Sequence, residues 1–213
     1  MLDQQDPVAQ VAAFGGREIG YDETVLTPRA WTQEQSGWGR SLLDELPEGR
    51  VLEVCSGAGH IGLLAVAGTD RELVQVDASI HACAWALRNA RAWGIASEIR
   101  HGSMLDALEP DERFALVIAD PPYVPSHGVA QYPEDPVTAI DGGDDGLDLA
   151  RMCLDVMTRH LARDGVGLLQ LRDLQQGEQL RVEAKERGLS IDEGRQFDGG
   201  AVVLLRRSTE GTP

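Results

Sequence analysis

The sequence is poor in the features that mark disulfide, metal or membrane chemistry. Its three cysteines, Cys55, Cys83 and Cys153, form no C-x-x-C pair, and an odd, scattered set predicts reduced, buried thiols in a cytoplasmic protein. The five histidines (His60, His81, His101, His127 and His160) never fall at H-x-x-x-H or H-E-x-x-H spacing, so no metal site is expected. The opening stretch Met1-Leu2-Asp3-Gln4-Gln5-Asp6 lacks the basic start and apolar core of a signal peptide. No apolar run nears membrane-spanning length; Ile61 to Ala67 is among the longest, which predicts a soluble protein without a membrane partner. Positive charge is also scarce. Nineteen basic against 35 acidic residues leave a formal charge of -16, which repels a phosphate backbone and makes nucleic acid an unexpected partner.

What remains is ordinary globular composition, 42% hydrophobic and 25% charged over 213 residues, enough for one well-buried domain. The chain is expected to divide into an arm or small hairpin over 1–30, the main domain over 31–207 and a disordered tail over 208–213. Thr32 is read as the cap of a first helix carrying Trp38, Leu42 and Leu46. Strands follow at 51–55, 73–77, 98–101, 114–119 and 166–171, with two more near 190–195 and 201–206. Helical spacing puts Ile80, Cys83, Ala84, Leu87 and Ala90 on one inner face, and Leu149, Met152, Cys153, Val156 and Met157 on another in a helix ended by Gly165. A mostly polar helix is expected from about Gln176 to Arg187. Strands and helices that alternate and close on a strand pair predict an α/β fold, a mostly parallel sheet with an antiparallel C-terminal edge.

Two stretches carry chemistry. In Asp120-Pro121-Pro122-Tyr123 an apolar strand is stopped by two prolines, which lack amide hydrogens and leave a rigid rim of acceptors. The Asp120 carboxylate and the Pro121 carbonyl can accept two hydrogens of an amino group, and Tyr123 offers a face for stacking. Alone this motif is only moderately specific, since a plain strand-ending turn would look the same. Upstream, Gly57-x-Gly59-x-x-Gly62 follows a strand and opens a helix, which admits a ligand close to the backbone. Glu53, four residues before the first glycine, sets negative charge where a dinucleotide would need its diphosphate, so a cationic ligand fits better. S-adenosylmethionine has a sulfonium, an amino group and a ribose whose hydroxyls can donate to Asp77. Glu53, Gly57, Asp77, Ser103 and Asp120 all fall at or just past strand ends, where open parallel sheets bind ligands.

Val51-Leu52-Glu53-Val54-Cys55-Ser56-Gly57-Ala58-Gly59-His60-Ile61-Gly62 and Asp120-Pro121-Pro122-Tyr123 resemble motifs I and IV of class I S-adenosylmethionine-dependent methyltransferases. Along most of its length the chain resembles the HemK-type N5-glutamine methyltransferases, through Val25-Leu26-Thr27-Pro28-Arg29 with Thr32, Gly142-Gly143-Asp144-Asp145-Gly146-Leu147-Asp148 and Gln176-Gly177-Glu178-Gln179 as well. The resemblance implies a Rossmann-like seven-stranded sheet. It implies S-adenosylmethionine as cofactor and S-adenosylhomocysteine as product, held by Glu53, Gly57, Gly59, Asp77, Ser103 and Asp120, with Asp120, Pro121, Pro122 and Tyr123 around the acceptor nitrogen. Three departures bear on the substrate. Asp120 stands where the family has Asn, Ser103 where it has Asp, and only about 30 residues precede the first expected helix, where release-factor enzymes have a helical domain. An ionised Asp can only accept hydrogen bonds, which predicts an amine in preference to a glutamine amide. The expected activity is methylation of a protein side-chain nitrogen, a glutamine amide or an amine, so that the acceptor partner is a protein or a small molecule. Rival readings are an amino-group methyltransferase of RNA or a small molecule and a catalytically silent, cofactor-binding partner subunit, and the oligomeric state is left open.

Overall fold

A computed structural model describes residues 9–208. Beyond Ser208 the expected disordered tail lies outside the described residues. The chain opens with an antiparallel hairpin, β1 (Gln10–Phe14) and β2 (Arg17–Tyr21), that lays Phe14 and Ile19 into the core. A short 3-10 turn leads into α1 (Gln33–Leu43). Thr32 does not cap that helix with its side chain. Its hydroxyl donates instead to the Arg29 carbonyl at 2.8 Å, because its backbone is already helical and directs the oxygen back along the turn.

The units β3 (Arg50–Val54), α2 (His60–Val66), β4 (Leu73–Asp77), α3 (Ile80–Trp93) and β5 (Ser97–His101) then build one half of the sheet. The chain returns through β6 (Phe114–Ala119), and after α4 (Val137–Ile140) and α5 (Asp148–His160) come β7 (Leu161–Leu171), α6 (Leu174–Glu186), β8 (Leu189–Phe197) and β9 (Gly200–Arg207). The seven strands lie in the order β5-β4-β3-β6-β7-β9-β8, parallel through β7 and antiparallel at β9 and β8. That is the expected Rossmann-like methyltransferase sheet. β6 is apolar and buried at every position, as a central strand covered by helices on both faces must be. Separate cores form on the two faces, one around Trp38, Leu63 and Trp85, the other around Leu154, Met157 and Leu180. The strand order reverses between β3 and β6, so their carboxyl ends open a crevice.

Two elements differ from the periodicity reading. α3 turns Ile80, Ala84 and Leu87 outward and buries Ala82, Trp85, Ala86 and Asn89 beside Cys83 and Ala90. The cause is polar: Asn89 donates to the carbonyls of Gly20 and Ala58, both at 2.9 Å, and accepts from the Gly20 amide at 2.8 Å. Those bonds fix the helix face against the hairpin. α5 ends at His160 rather than at Gly165, and β7 begins directly at Leu161, where it pairs with Phe114. Arg207 holds this junction, donating to the Thr158 carbonyl in the last turn of the helix at 2.8 Å and to the Leu161 carbonyl at the start of β7 at 3.0 Å.

Candidate active site

The crevice between β3 and β6 holds a cavity of about 400 Å³. Cys55, Gly57, Asp77, Ser103 and Asp120 are among the residues that line it, each at or just past the end of a strand. Asp77 closes β4, and its carboxylate accepts from the Gly57 amide and the Ser79 amide, both at 2.8 Å. Burial raises its pKa, and the two amides oppose the rise. Gly57 lies at φ +51, a backbone region that favours glycine, and a Cβ there would meet no protein atom within 4 Å. Cys55 adopts a positive φ of 56 without being glycine, and its thiol, beside that of Cys153 and buried, is held well above the ordinary thiol pKa. A buried thiol of that kind is a poor nucleophile. Ser103 accepts from the Leu105 amide at 3.3 Å, while Asp106, the acid nearest to it in sequence, is exposed and outside the cavity lining.

Glu53 and Gly59 do not line the cavity; they sit one layer behind it. Glu53 is 1% exposed, and its carboxylate accepts from Gln75 Nε2 and from the Gly62 amide. Burial, with smaller contributions from Asp120 and Asp77, pushes its pKa up to about 8. A Cβ on Gly62 would come within 2.5 Å of Glu53 Oε2, so that glycine makes room for the acid. Gly59 serves packing: at φ +79, its Cβ would lie 2.7 Å from Gln75 Nε2 and 3.1 Å from the Ala86 backbone. The G-x-G-x-x-G pattern thus divides its work between cavity (Gly57), helix packing (Gly59) and the buried acid (Gly62).

Among the described residues, four buried side-chain atoms lack a protein partner, and three of them, Glu53 Oε1, Ser56 Oγ and His60 Nδ1, belong to the segment that runs from β3 through the glycine turn to the start of α2. Burial holds His60 neutral, with its pKa pushed down to about 4. Unpaired acceptors and buried acids around one cavity suit a cation carrying N–H and O–H donors. The residues therefore fit S-adenosylmethionine and not a diphosphate.

Asp120 follows the last residue of β6, and burial pushes its pKa up to about 7. The end of that strand is pinned by Gln35, whose Nε2 donates to the Ala119 carbonyl at 2.9 Å and the Leu168 carbonyl at 3.1 Å. Burial and the neighbouring Asp120 charge both raise the Tyr123 hydroxyl pKa. On its outer side the Asp120–Tyr123 rim faces a second cavity of about 220 Å³, walled also by Trp31, Tyr132 and Arg172. Both cavities are lined by Asp120, Pro122 and Arg29, so the rim is their common wall. Tyr123 and Pro121 line only the outer cavity.

The Gly-, Pro- and Asp-rich loop after the rim is ordered across both cavities. Val124 donates to Ile140 at 2.9 Å and accepts from Gly142 at 2.8 Å. Arg29 Nη2 lies 2.6 Å from each oxygen of Asp135, tying the segment before α1 to this loop. Gln176 donates to the Tyr123 carbonyl at 3.2 Å and accepts from the Arg172 amide at 2.9 Å. Sequence patterning does not assign Gln35 or Asp135 to the site. A glutamine at a buried helix position is the only local sign of the first; the second is one acid in an acidic loop.

Residues 39–132 match the family model described as methyltransferase small domain. A ribosomal protein uL3 glutamine methyltransferase from Burkholderia pseudomallei is 32% identical over 191 residues, covering 83% of this chain and 61% of that protein. A release factor glutamine methyltransferase from Streptomyces coelicolor is 31% identical over 186 residues, covering 83% and 66%. The chain thus spans a little over half to two thirds of the length of these curated relatives. Among solved structures, a ribosomal protein L11 methylase from Lactobacillus delbrueckii superposes with a TM-score of 0.64 at 17% identity, covering 88% of this chain and 83% of that one. A Thermus thermophilus 16S rRNA N2 G1207 methyltransferase, solved with S-adenosylmethionine and guanosine, gives 0.67 at 15% identity, covering 94% and 50%.

Proposed function

We propose, from the premise that this chain belongs to the S-adenosylmethionine-dependent methyltransferases and is similar to their HemK-type members, that it methylates a side-chain nitrogen of a protein, a glutamine amide. The observation that carries this reading is the Asp120–Pro122 wall shared by two cavities, one suited to a cationic cofactor and one open to an acceptor. The cofactor supplies an electrophilic methyl on a sulfonium. On this reading Asp77 receives the ribose hydroxyls, Gly57 lets the ligand approach the turn, and Ser103 borders the adenine. Glu53 acts from behind the turn by accepting from the Gly62 amide and so fixing the turn. Asp120 and the Pro121 carbonyl orient the two N–H bonds of the acceptor, and Trp31, Tyr123 and Tyr132 enclose its stem. Holding nitrogen, methyl carbon and sulfur in line is the main source of rate.

Asp120 decides how well an amide suits the site. With its pKa near 7 it is not confined to the ionised form that favours an amine. As a neutral acid it offers a carbonyl to one N–H and an O–H to the amide carbonyl, the same pattern that Asn presents. A cation in the adjoining cavity favours the carboxylate, so the titration in the loaded protein falls at or below that value. Transfer to a glutamine-bearing peptide from labelled cofactor should therefore decline as pH rises through the midpoint. Asp120→Asn should remove the decline and raise transfer at pH 8 by roughly one to two decades, the effect of supplying a donor to a buried carbonyl. A second reading, an amine acceptor, is favoured by the same acid when ionised. Efficient transfer by the wild type to a lysine-bearing peptide, with none to glutamine at any pH, would establish that reading and overturn the first; no turnover with either would return the silent partner subunit.

A further inference from the structure

At the opposite end of the sheet from the candidate active site, where β6 and β7 begin, a cleft of about 450 Å³ is bordered by Arg113, Arg159 and Arg207 over a floor that includes Leu105 and Leu108. No acidic side chain lines it. It contrasts with Arg29, Arg50, Arg100, Arg151 and Arg187 of the same acidic chain, which are all paired with carboxylates. None of the three cleft arginines has a carboxylate partner among the described residues. Glu112, the acid next to Arg113, is bonded to Arg50 and Arg100 at 2.8 and 2.6 Å.

Two of the guanidiniums are held in place by backbone carbonyls. Arg113 Nη1 donates to Pro110 at 2.9 Å and to Glu112 at 2.7 Å, and neither its Nε nor its Nη2 has a partner among the described residues. Arg207 uses Nε and Nη2 on Thr158 and Leu161, which leaves Nη1. That contact also covers the carbonyl end of α5, which would otherwise repel an anion. The Arg159 side chain is exposed and makes no hydrogen bond to a described residue. The charges are close enough to act on one another: burial first, and Arg113 second, depress the pKa of Arg207, and burial depresses that of His160 with smaller contributions from Arg113 and Arg159. Like charges held together without a counter-ion are relieved by an anion.

We infer that this cleft is a binding site for a phosphate monoester, with Arg113, Arg159 and Arg207 donating to its oxygens. A planar carboxylate satisfies one guanidinium fork, whereas a tetrahedral dianion presents acceptors to three donors at once. A monoester brings nearly two negative charges, a diester within a nucleic acid only one, so the monoester is the better match. Anchoring Arg113 and Arg207 before the ligand arrives reduces the ordering cost of binding. The site is independent of the methyl-transfer reading and is tested without turnover.

The test is calorimetry of the full chain with inorganic phosphate, then with dimethyl phosphate as the diester probe, at constant ionic strength set with chloride. Phosphate should bind, dimethyl phosphate should bind at least about tenfold more weakly, and saturating S-adenosylhomocysteine should leave both unchanged. Arg113→Gln and Arg159→Gln should each weaken phosphate binding by about tenfold, the scale of one charged hydrogen bond, while Arg91→Gln on the outer face of α3 should not. Equal retention of phosphate by both cleft variants, or no binding above the chloride background, overturns the site. Equally tight dimethyl phosphate would overturn the monoester in favour of a nucleic-acid backbone.

Discussion

At the scale of single residues, the acids around the cavity govern how this protein responds to pH. An unfolded glutamate ionises near 4.3, whereas burial keeps the Glu53 proton to about pH 8. Between those values the native state binds more protons than the unfolded chain, so stability falls as pH rises; the contribution is whole below the unfolded pKa and gone above about 8. Glu53→Gln keeps an oxygen for Gln75 and Gly62 but cannot ionise. Its melting temperature should approach or fall below that of the wild type at pH 5 and exceed it at pH 8, and equal slopes for the two proteins between those values would refute the assignment. The opposite behaviour belongs to Glu112, whose pKa Arg100 holds down at about 2, so its contribution is whole above the unfolded value near 4.3 and is lost as pH falls from there through about 2. Glu53 was legible as an acid beside the glycine turn. Its place behind the turn was not, because that depends on Gln75, a residue of the neighbouring strand, and on the missing Cβ of Gly62.

At the scale of elements, the sequence carries the strands and their order of appearance well, since runs such as Phe114–Ala119 are apolar throughout and bounded by turn residues. It carries the orientation of α3 poorly. Counting apolar residues gives the wrong face because Asn89, a polar residue, has the strongest tertiary bonds of that helix. Asn89→Ala removes three hydrogen bonds to Gly20 and Ala58 and leaves buried backbone groups unpaired, which should cost on the order of 2–4 kcal/mol. Hydrogen exchange should quicken first in β1 and β2; uniform quickening over the whole chain would mean that the hairpin is not separately held by this residue. The loop over the acceptor cavity is a second case. Its composition flags a functional loop, but the Arg29–Asp135 pair that holds it spans 106 residues and leaves no local pattern. The Asp135 side chain is only 6% exposed, so the pair is not an ordinary surface bridge. Asp135→Asn should raise the KM for a peptide acceptor several-fold and leave S-adenosylhomocysteine affinity within about twofold, since a lost charged bond acts on the loop and not on the cofactor turn. Equal losses in both would show that the pair supports the whole crevice.

At the scale of the whole molecule, a net charge of -16 and a crevice backed by Glu53, Asp77 and Asp120 make a field that favours cations. Burial works against the acids themselves: it raises the pKa of all three, to about 8 for Glu53 and about 7 for Asp120. Near neutrality the site therefore holds protons in place of a ligand. A sulfonium entering the crevice favours the ionised carboxyls and must release part of those protons; the thioether of S-adenosylhomocysteine carries no such charge and releases fewer. S-adenosylmethionine affinity should accordingly rise between pH 6 and pH 8, while that of S-adenosylhomocysteine changes less, which discriminates substrate from product by charge alone. Calorimetry in two buffers of different ionisation enthalpy measures the difference directly as protons released per ligand bound. Glu53→Gln should shrink the release for S-adenosylmethionine toward the product's value, and Asp120→Asn should shrink it further. Identical proton release for both ligands in the wild type would mean that the sulfonium does not sense these carboxyls, and the cationic reading of the crevice would have to be replaced by one based on shape.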